Sequence, residues 1–429
     1  MRIMHIIPGS GGSFYCGNCL RDSKFVEALR ESGHEVTKIP MYLPLFADEH
    51  DLSGEIPVFY GAISIYLKQQ FKMFRKAPDW FDRMLNSKPM LKLASRMAGS
   101  TRAKGLEEMT VSMLMGEKGQ QKEELDKIID WISEHCKPDI IHLSNALLLG
   151  LAHRLKEKMK VPVICSLQDE DQWVDVMKPS AQKHVWNLMS ERGKDVDAFI
   201  SVSEFYSREM KKIMHIPDEK LEHVHIGVYP ENYDFKLPSE KGRNIGYVSR
   251  MCHELGLDIL VDAFILLKKQ PDMLDVELHI TGGSTGDDRN FIRELKKKLH
   301  REKLSEAVRF HENFDEEGLK EFLGNVSLLS VPVRKGEAFG IYLLEAMASG
   351  VPVVQPALGA FPEIVNLSGG GLTFEPNTPS VLAETLRKLL SDTPNLDAMA
   401  HQARKGVEEH FHVSKQVELM SALYRKYSS

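Results

Sequence analysis

The chain has 429 residues, enough for two or three domains and for a core that needs no disulfide staples. With 55 Lys+Arg against 61 Asp+Glu its formal net charge is −6, which excludes a broadly basic nucleic-acid binder; 42% hydrophobic and 27% charged residues exclude a disordered or collagen-like chain. No apolar run reaches the ~18 residues of a membrane span, the opening MRIMHIIPGSGG lacks a signal peptide's long apolar core, and five sparse cysteines suit reduced thiols in the cytoplasm.

Ile3–Ile7 is an apolar run without alternation, as in a strand buried on both faces. Pro8–Ser13 breaks it, and a helix follows from about Leu20, with Phe25, Val26, Ala28 and Leu29 at helical spacing and Gly33 as its stop. Further strands are expected at Val36–Ile39, Ile140–Leu143, Val161–Leu167, Ala198–Val202 and Val224–Ile226, with helical patterns between several of them. One segment departs from this rhythm. Residues 66–104 hold ten Lys/Arg against two Asp, with Phe71, Phe74, Trp80 and Phe81 interleaved. It reads as a helical insertion with a solvated basic face, or as an interfacial helix for an anionic membrane or an acidic acceptor.

The rhythm restarts after a polar stretch at Asn232–Arg243. Strands are expected at Asn244–Val248, Val276–Ile280, Val308–Phe310 and Leu328–Val331, and helices at Leu257–Lys268, Arg289–Arg301 and Ile341–Ala348. Gly350-Val351-Pro352 stops the last of these, Val353-Val354 and Glu363–Val365 continue the alternation, and the tail from Ser380 is helical. Repeated βα units imply parallel sheets with ligands at the carboxyl ends of the strands. The expected architecture is α/β: two tandem Rossmann-like doubly wound domains, residues 1–238 (with a helical insertion at about 66–130) and 239–405, followed by a C-terminal helix at 406–429.

The most informative stretch runs from Arg334 to Val354, RKGEAFGIYLLEAMASGVPVV. Glu337 sits in a loop after a strand, Gly340 marks a helix entry, and Glu345 lies within the helix. The first helical N–H groups form a ready anion site, and glycine lets a ligand approach the backbone. Two carboxylates at this spacing could accept hydrogen bonds from different hydroxyls of one long polar ligand, or could simply cap the helix and face solvent. This stretch, with Gly350–Val354 and Phe361–Val365 beyond it, resembles the Glu-x7-Glu motif of retaining glycosyltransferases of the GT-B fold, most closely glycosyltransferase family 4.

The resemblance implies two domains facing a cleft, the first binding the acceptor and the second a nucleotide-diphosphate sugar, with no metal and no further cofactor. It implies that Glu337 contacts the transferred sugar and Glu345 the nucleotide's ribose, while N–H groups near Gly340, Ile341 and Tyr342 serve the diphosphate. Arg250, in Asn244–Arg250, matches the arginine that stabilises the leaving diphosphate, a role that suits a guanidinium. The lysine expected five residues later is Leu255 here. Gly11 and Gly12 fall where the family presents a glycine-rich loop to the donor. Asn145 and Asp169 are candidate contacts to acceptor or sugar, as is Gln168, which stands where many relatives have histidine. The final helix resembles the family's tail that crosses back to the first domain.

The expected partners are a nucleotide sugar and a carbohydrate, lipid-linked or small-molecule acceptor, with a cytoplasmic location either free or at the inner face of a membrane. A rival reading keeps the fold and donor binding but loses turnover, motivated by Leu255 and Gln168. Cys16-Gly17-Asn18-Cys19 at a helix start supports a second rival, a thiol–disulfide protein. Zinc there would need two further ligands, and plain thiols lining the cleft floor are the remaining reading.

Overall fold

The computed structural model describes residues 1–8, 17–41, 107–120 and 122–428. Gly11, Gly12, Cys16 and the basic segment 66–104 lie outside the described residues. Of Cys19 only the backbone, in the first helix, is described.

The chain divides into two compact units. The first comprises the opening strand, Asn18–Val224 and Val417–Ser429; its sheet has the order β2-β1-β3-β4-β5-β6. These strands are β1 (Arg2–Ile7), β2 (Glu35–Pro40), β3 (Ile140–Leu143), β4 (Val163–Leu167), β5 (Ala198–Ser201) and β6 (Leu221–His223). All their pairings are parallel. The helices described here are α1 (Gly17–Glu31), α2 (Glu107–Leu114), α3 (Lys122–His135), α4 (Ala152–Met159), α5 (Glu170–Val174), α6 (Pro179–Arg192) and α7 (Glu204–Met214). Strands such as β3 and β4 are buried at every residue, which is why they read as unbroken apolar runs. The carboxyl ends of β1 and β3 form the switch point, where the strand order reverses.

The second unit, His225–Gln416, repeats the plan with the order β12-β11-β10-β7-β8-β9, again all parallel. Its strands are β7 (Asn244–Val248), β8 (Glu277–Thr281), β9 (Val308–Phe310), β10 (Leu328–Leu329), β11 (Val353–Pro356) and β12 (Gly371–Phe374). Its helices are α8 (Leu257–Leu267), α9 (Arg289–Arg301), α10 (Glu316–Leu323), α11 (Ile341–Ala348), α12 (Phe361–Ser368), α13 (Pro379–Leu390) and α14 (Thr393–His410). Here the order reverses between β7 and β10. The last helix, α15 (Val413–Ser428), begins in the second unit and continues in the first.

The strand expected at Val224–Ile226 is displaced. The ladder to β5 is made by Leu221–His223, and Val224 gives it one last bond, from its N–H to the Ser201 carbonyl at 2.9 Å. Beyond that the chain packs in the second unit. A Cβ on Gly227 would meet the Val413 Cα at 2.5 Å, and Val228 bridges His412. Glu363–Val365 lies in helix α12, and strand β12, partly exposed, carried no apolar run in the sequence.

Candidate functional site

In the second unit the loops that leave β7 and β10 form one surface. The Arg334 N–H donates to the Glu254 carbonyl at 3.1 Å, and its Nε to the His253 carbonyl at 3.0 Å. Gly256 permits this approach. Its φ is +73°, and a Cβ there would stand 1.8 Å from the Pro332 carbonyl oxygen, so a larger residue would push the loops apart. Arg250 and Glu337 therefore sit on adjoining loops at the reversal of strand order. The buried Tyr247 beneath them senses both: burial first, then the thiol of Cys252 and the carboxylate of Glu337, push its phenol up, while Arg250 pulls it down.

Glu337 is 8% exposed. Its Oε2 accepts the Tyr342 hydroxyl at 3.0 Å, and its carbonyl accepts the Ala360 N–H at 3.0 Å. Gly336 and Gly359 pass so closely that a Cβ on Gly336 would meet the Gly359 Cα at 2.4 Å. Both ends of the residue are thus fixed, the side chain by α11 and the backbone by the loop entering α12. Gly340 opens α11 in the left-handed region, with φ +91°, and its hydrogen faces the Glu337 Oε2. Gly340 has no side chain to cap α11, and the first N–H groups of the helix, including those of Ile341 and Tyr342, have no acceptor within the helix itself. Glu345, one turn in and 1% exposed, accepts the Tyr233 hydroxyl at 2.9 Å. A carboxylate so buried is not a surface charge; it is held for an inward-facing task or as a core bond.

Arg250 is held by a residue that sequence reading missed. Asp288, 2% exposed, accepts Nε of Arg250 at 3.0 Å and Nη2 at 3.1 Å. The same carboxylate accepts the Thr285 N–H at 2.8 Å and its hydroxyl at 2.7 Å. Burial pushes the Asp288 carboxyl up, but Arg250 and Thr285 outweigh it and hold it below the usual carboxylate range. The signal was available: a Thr-x-x-Asp spacing in the glycine-rich loop after β8, just before a helix, is a capping-box pattern.

Leu255 stands at the position of the absent lysine, and its carbonyl lies 3.4 Å from the Tyr247 hydroxyl. The nearby basic groups turn to Asp258: Arg334 Nη2 bonds it at 2.5 Å, and His253 Nε2 lies 3.8 Å away.

The first-unit candidates are largely committed to local structure. Asn145 accepts the Leu147 N–H at 3.1 Å as a helical cap. Asp169 adopts the left-handed region, φ +56°, at the start of α5. Gln168 is 3% exposed and donates from Nε2 to the Ser144 carbonyl at 2.5 Å. In the acidic run Asp169-Glu170-Asp171, Glu170 accepts the Ala146 N–H, the Gln168 N–H and the Tyr206 hydroxyl, each at 2.8 Å. Burial still raises it to about 7 against those bonds. The run thus ties the ends of β3, β4 and α7 together.

Parallel sheets of this kind, each with its ligand loops at the switch point, are the architecture of GT-B glycosyltransferases. The structure of sucrose-phosphate synthase from Thermosynechococcus elongatus matches with a TM-score of 0.71 and 18% identity, over 99% of both chains. That of Anabaena HepE in complex with UDP matches with a TM-score of 0.69 and 16% identity, over 99% of this chain and 100% of that one.

Two sequence models make the assignment narrower. "Glycosyltransferase Family 4" matches residues 117–232 and "Glycosyl transferases group 1" matches residues 230–406, together more than half of the chain. An uncharacterized glycosyltransferase of Methanocaldococcus jannaschii is 27% identical over 299 residues, 64% of this chain and 72% of that protein. Other relatives at 29% identity align over no more than half of their own length. The chain belongs to glycosyltransferase family 4, group 1.

Proposed function

We propose that the protein moves a sugar from a nucleotide-diphosphate sugar to an acceptor hydroxyl, with retention at the anomeric carbon and without a metal ion. The observation that carries this is Glu337, a nearly buried carboxylate fixed by Tyr342 beside the amino end of α11 and on the same surface as Arg250. HepE, which shares the fold, has been solved with UDP and with UDP-glucose, which supports a uridine nucleotide as the first donor to test.

In this reading the α11 N–H groups and Arg250 take up the charge that develops on the departing diphosphate, the term usually largest in such reactions. Glu337 orients the transferred sugar and Glu345 the ribose. A diphosphate oxygen takes the proton of the acceptor hydroxyl on the face from which it leaves, so no protein nucleophile is needed. Asp288 keeps the guanidinium of Arg250 in place before the donor arrives. That spares the cost of ordering a long side chain during the reaction.

Glu337→Gln keeps the volume and removes the charge. The expected result is a turnover loss of about 10²–10³-fold with UDP affinity, read by calorimetry, within about twofold of the parent. Unchanged turnover would remove Glu337 from its role. Activity that survives exhaustive chelation supports the metal-free reading, and activity restored only by a divalent cation refutes it.

A further inference from the structure

Helix α9 carries charge that neither the fold nor the transfer chemistry uses. Its sequence, RNFIRELKKKLHR, holds six Lys/Arg and one Glu in a chain of net charge −6. Leu295 and Leu299 are buried, and the face away from them is a row of cations. Arg289, Arg293, Lys297 and Arg301 follow one another at helical spacing, with Lys296 beside them, and all five are exposed. The row is about 18 Å long. It lines an open groove of about 850 Å³.

This pattern works against the helix itself. Like charges one turn apart repel. Arg289 faces the positive end of the helix dipole, and the first turn holds no acidic residue to offset it. Asp288, just ahead, is committed to Arg250 and Thr285. Local ion pairs neutralise little of the row. Glu294 serves both Arg293, at 3.9 Å, and Lys297, at 2.9 Å, and Lys298 turns away to Asp262 of α8. Lys296 Nζ stands 4.4 Å from the centre of the Phe310 ring, which holds the ammonium without discharging it. Among the described residues no ion pair engages Arg289 or Arg301. A face so costly to its own helix calls for an anionic partner.

Exposed apolar side chains border the row. Leu266 lies one turn beyond Asp262 on α8 and is 37% exposed; Leu274, at 64%, is the most exposed large apolar residue among those described. Lys268 holds the carbonyls of Leu274 and Val276. The acids nearby, Asp272 and Asp275, are taken by Arg387 and Arg243.

We infer that this face of the second unit, α9 with Leu266 and Leu274 at its border, docks on an anionic phospholipid membrane. Acidic headgroups attract a row of Lys/Arg laid along the surface, and leucines at its border then enter the headgroup layer. A polynucleotide would use the cations and leave the leucines in water. The inference stands apart from the proposed transfer, which uses none of these residues.

Flotation of the full-length protein with vesicles of phosphatidylcholine, alone or mixed with phosphatidylglycerol, tests this. The protein should float with the anionic vesicles at low salt and not with the neutral ones, and high salt should weaken binding about tenfold or more. Arg293→Gln, Lys296→Gln, Lys297→Gln and Arg301→Gln, combined, keep good helix formers in place. They should weaken binding about tenfold or more with an unchanged circular dichroism spectrum. Leu274→Ser alone should weaken it about threefold and leave its salt dependence intact. Absence of flotation at low salt would overturn the inference. Equal flotation of the parent and the combined variant would also overturn it, moving the contact to the basic segment at 66–104. Binding to soluble heparin without flotation would overturn it in favour of a soluble polyanion or an acidic protein.

Discussion

The two sheets end differently at their switch points. Around β7 and β10 the polar groups have dedicated partners: Tyr342 for Glu337, Tyr233 for Glu345, Asp288 for Arg250. Around β1 and β3 the polar groups crowd together with much of their bonding capacity unspent. In the second unit glycines and helix ends fix these groups locally. In the first unit Asn145 caps a helical turn and Glu170 ties strand ends together, while Arg21, Asp22 and His5 lie buried against one another.

The sharpest way to break the contrast is Gly340→Ala. The residue needs φ +91°, and the new Cβ would meet the Phe361 ring at 3.0 Å and the Glu337 Oε2 at 3.2 Å. If Glu337 acts as proposed, its displacement by about 1 Å costs on the order of 10²-fold in turnover. Steady-state kinetics should show the loss in kcat, with the fold intact by circular dichroism. Asp288→Asn should cost less, about tenfold in kcat/KM, the loss of one strong charged hydrogen bond. Because Asp288 acts through Arg250, affinity should fall for UDP and stay constant for uridine. Equal losses for both would make Asp288 merely structural.

The smallest expected effect concerns stability in the first unit. Glu170, raised to about 7, holds its proton more tightly in the folded protein than in the unfolded chain. Stability is therefore full below the ordinary glutamate range and declines as pH rises through about 7, by up to about 1.4 kcal/mol per pH unit. Glu170→Gln should flatten that decline in urea unfolding between pH 5 and 8. It should also lower stability by about 1–3 kcal/mol overall, because its amide meets the Gln168 N–H or the Ala146 N–H as a second donor. A slope unchanged by the substitution would assign the pH dependence to another group, with Asp171, raised to about 6 by burial and by Asp169, the next to test.

The second-unit candidates were legible because their spacing is itself the geometry. Glu337, Gly340 and Glu345 fall on a loop, a helix entry and the second turn of α11, so local rules place all three. Strands β3, β7 and β9 were readable to the residue for a related reason, since short apolar runs bounded by polar ones have few alternatives. Asp288 was hidden because its importance lies in a partner 38 residues away. Arg21 and Asp22 were hidden differently. They share the inward stripe of α1 with Phe25, Val26 and Leu29, four and seven residues on, and charged side chains there pass for solvated ones until the fold buries them. Strand β12 and the shift from Val224 to β6 belong to the same class, because edge strands with exposed faces carry little apolar signal.

Helix α15 carries Tyr424 into the interior of the first unit, where its hydroxyl meets His142 Nδ1 at 2.8 Å while the other ring nitrogen meets Ser166 at 2.7 Å. The order of synthesis gives this contact a consequence. A ribosome makes β1, β3 and β4 early, yet the ring that closes over His142 emerges 282 residues after it. The amino-terminal half must wait, incompletely packed, while the whole carboxyl-terminal half is translated and folds, so the usual first-made, first-finished sequence is reversed. Nascent chains arrested before codon 417 should therefore be cleaved by protease in the first unit, and released full-length chains should resist.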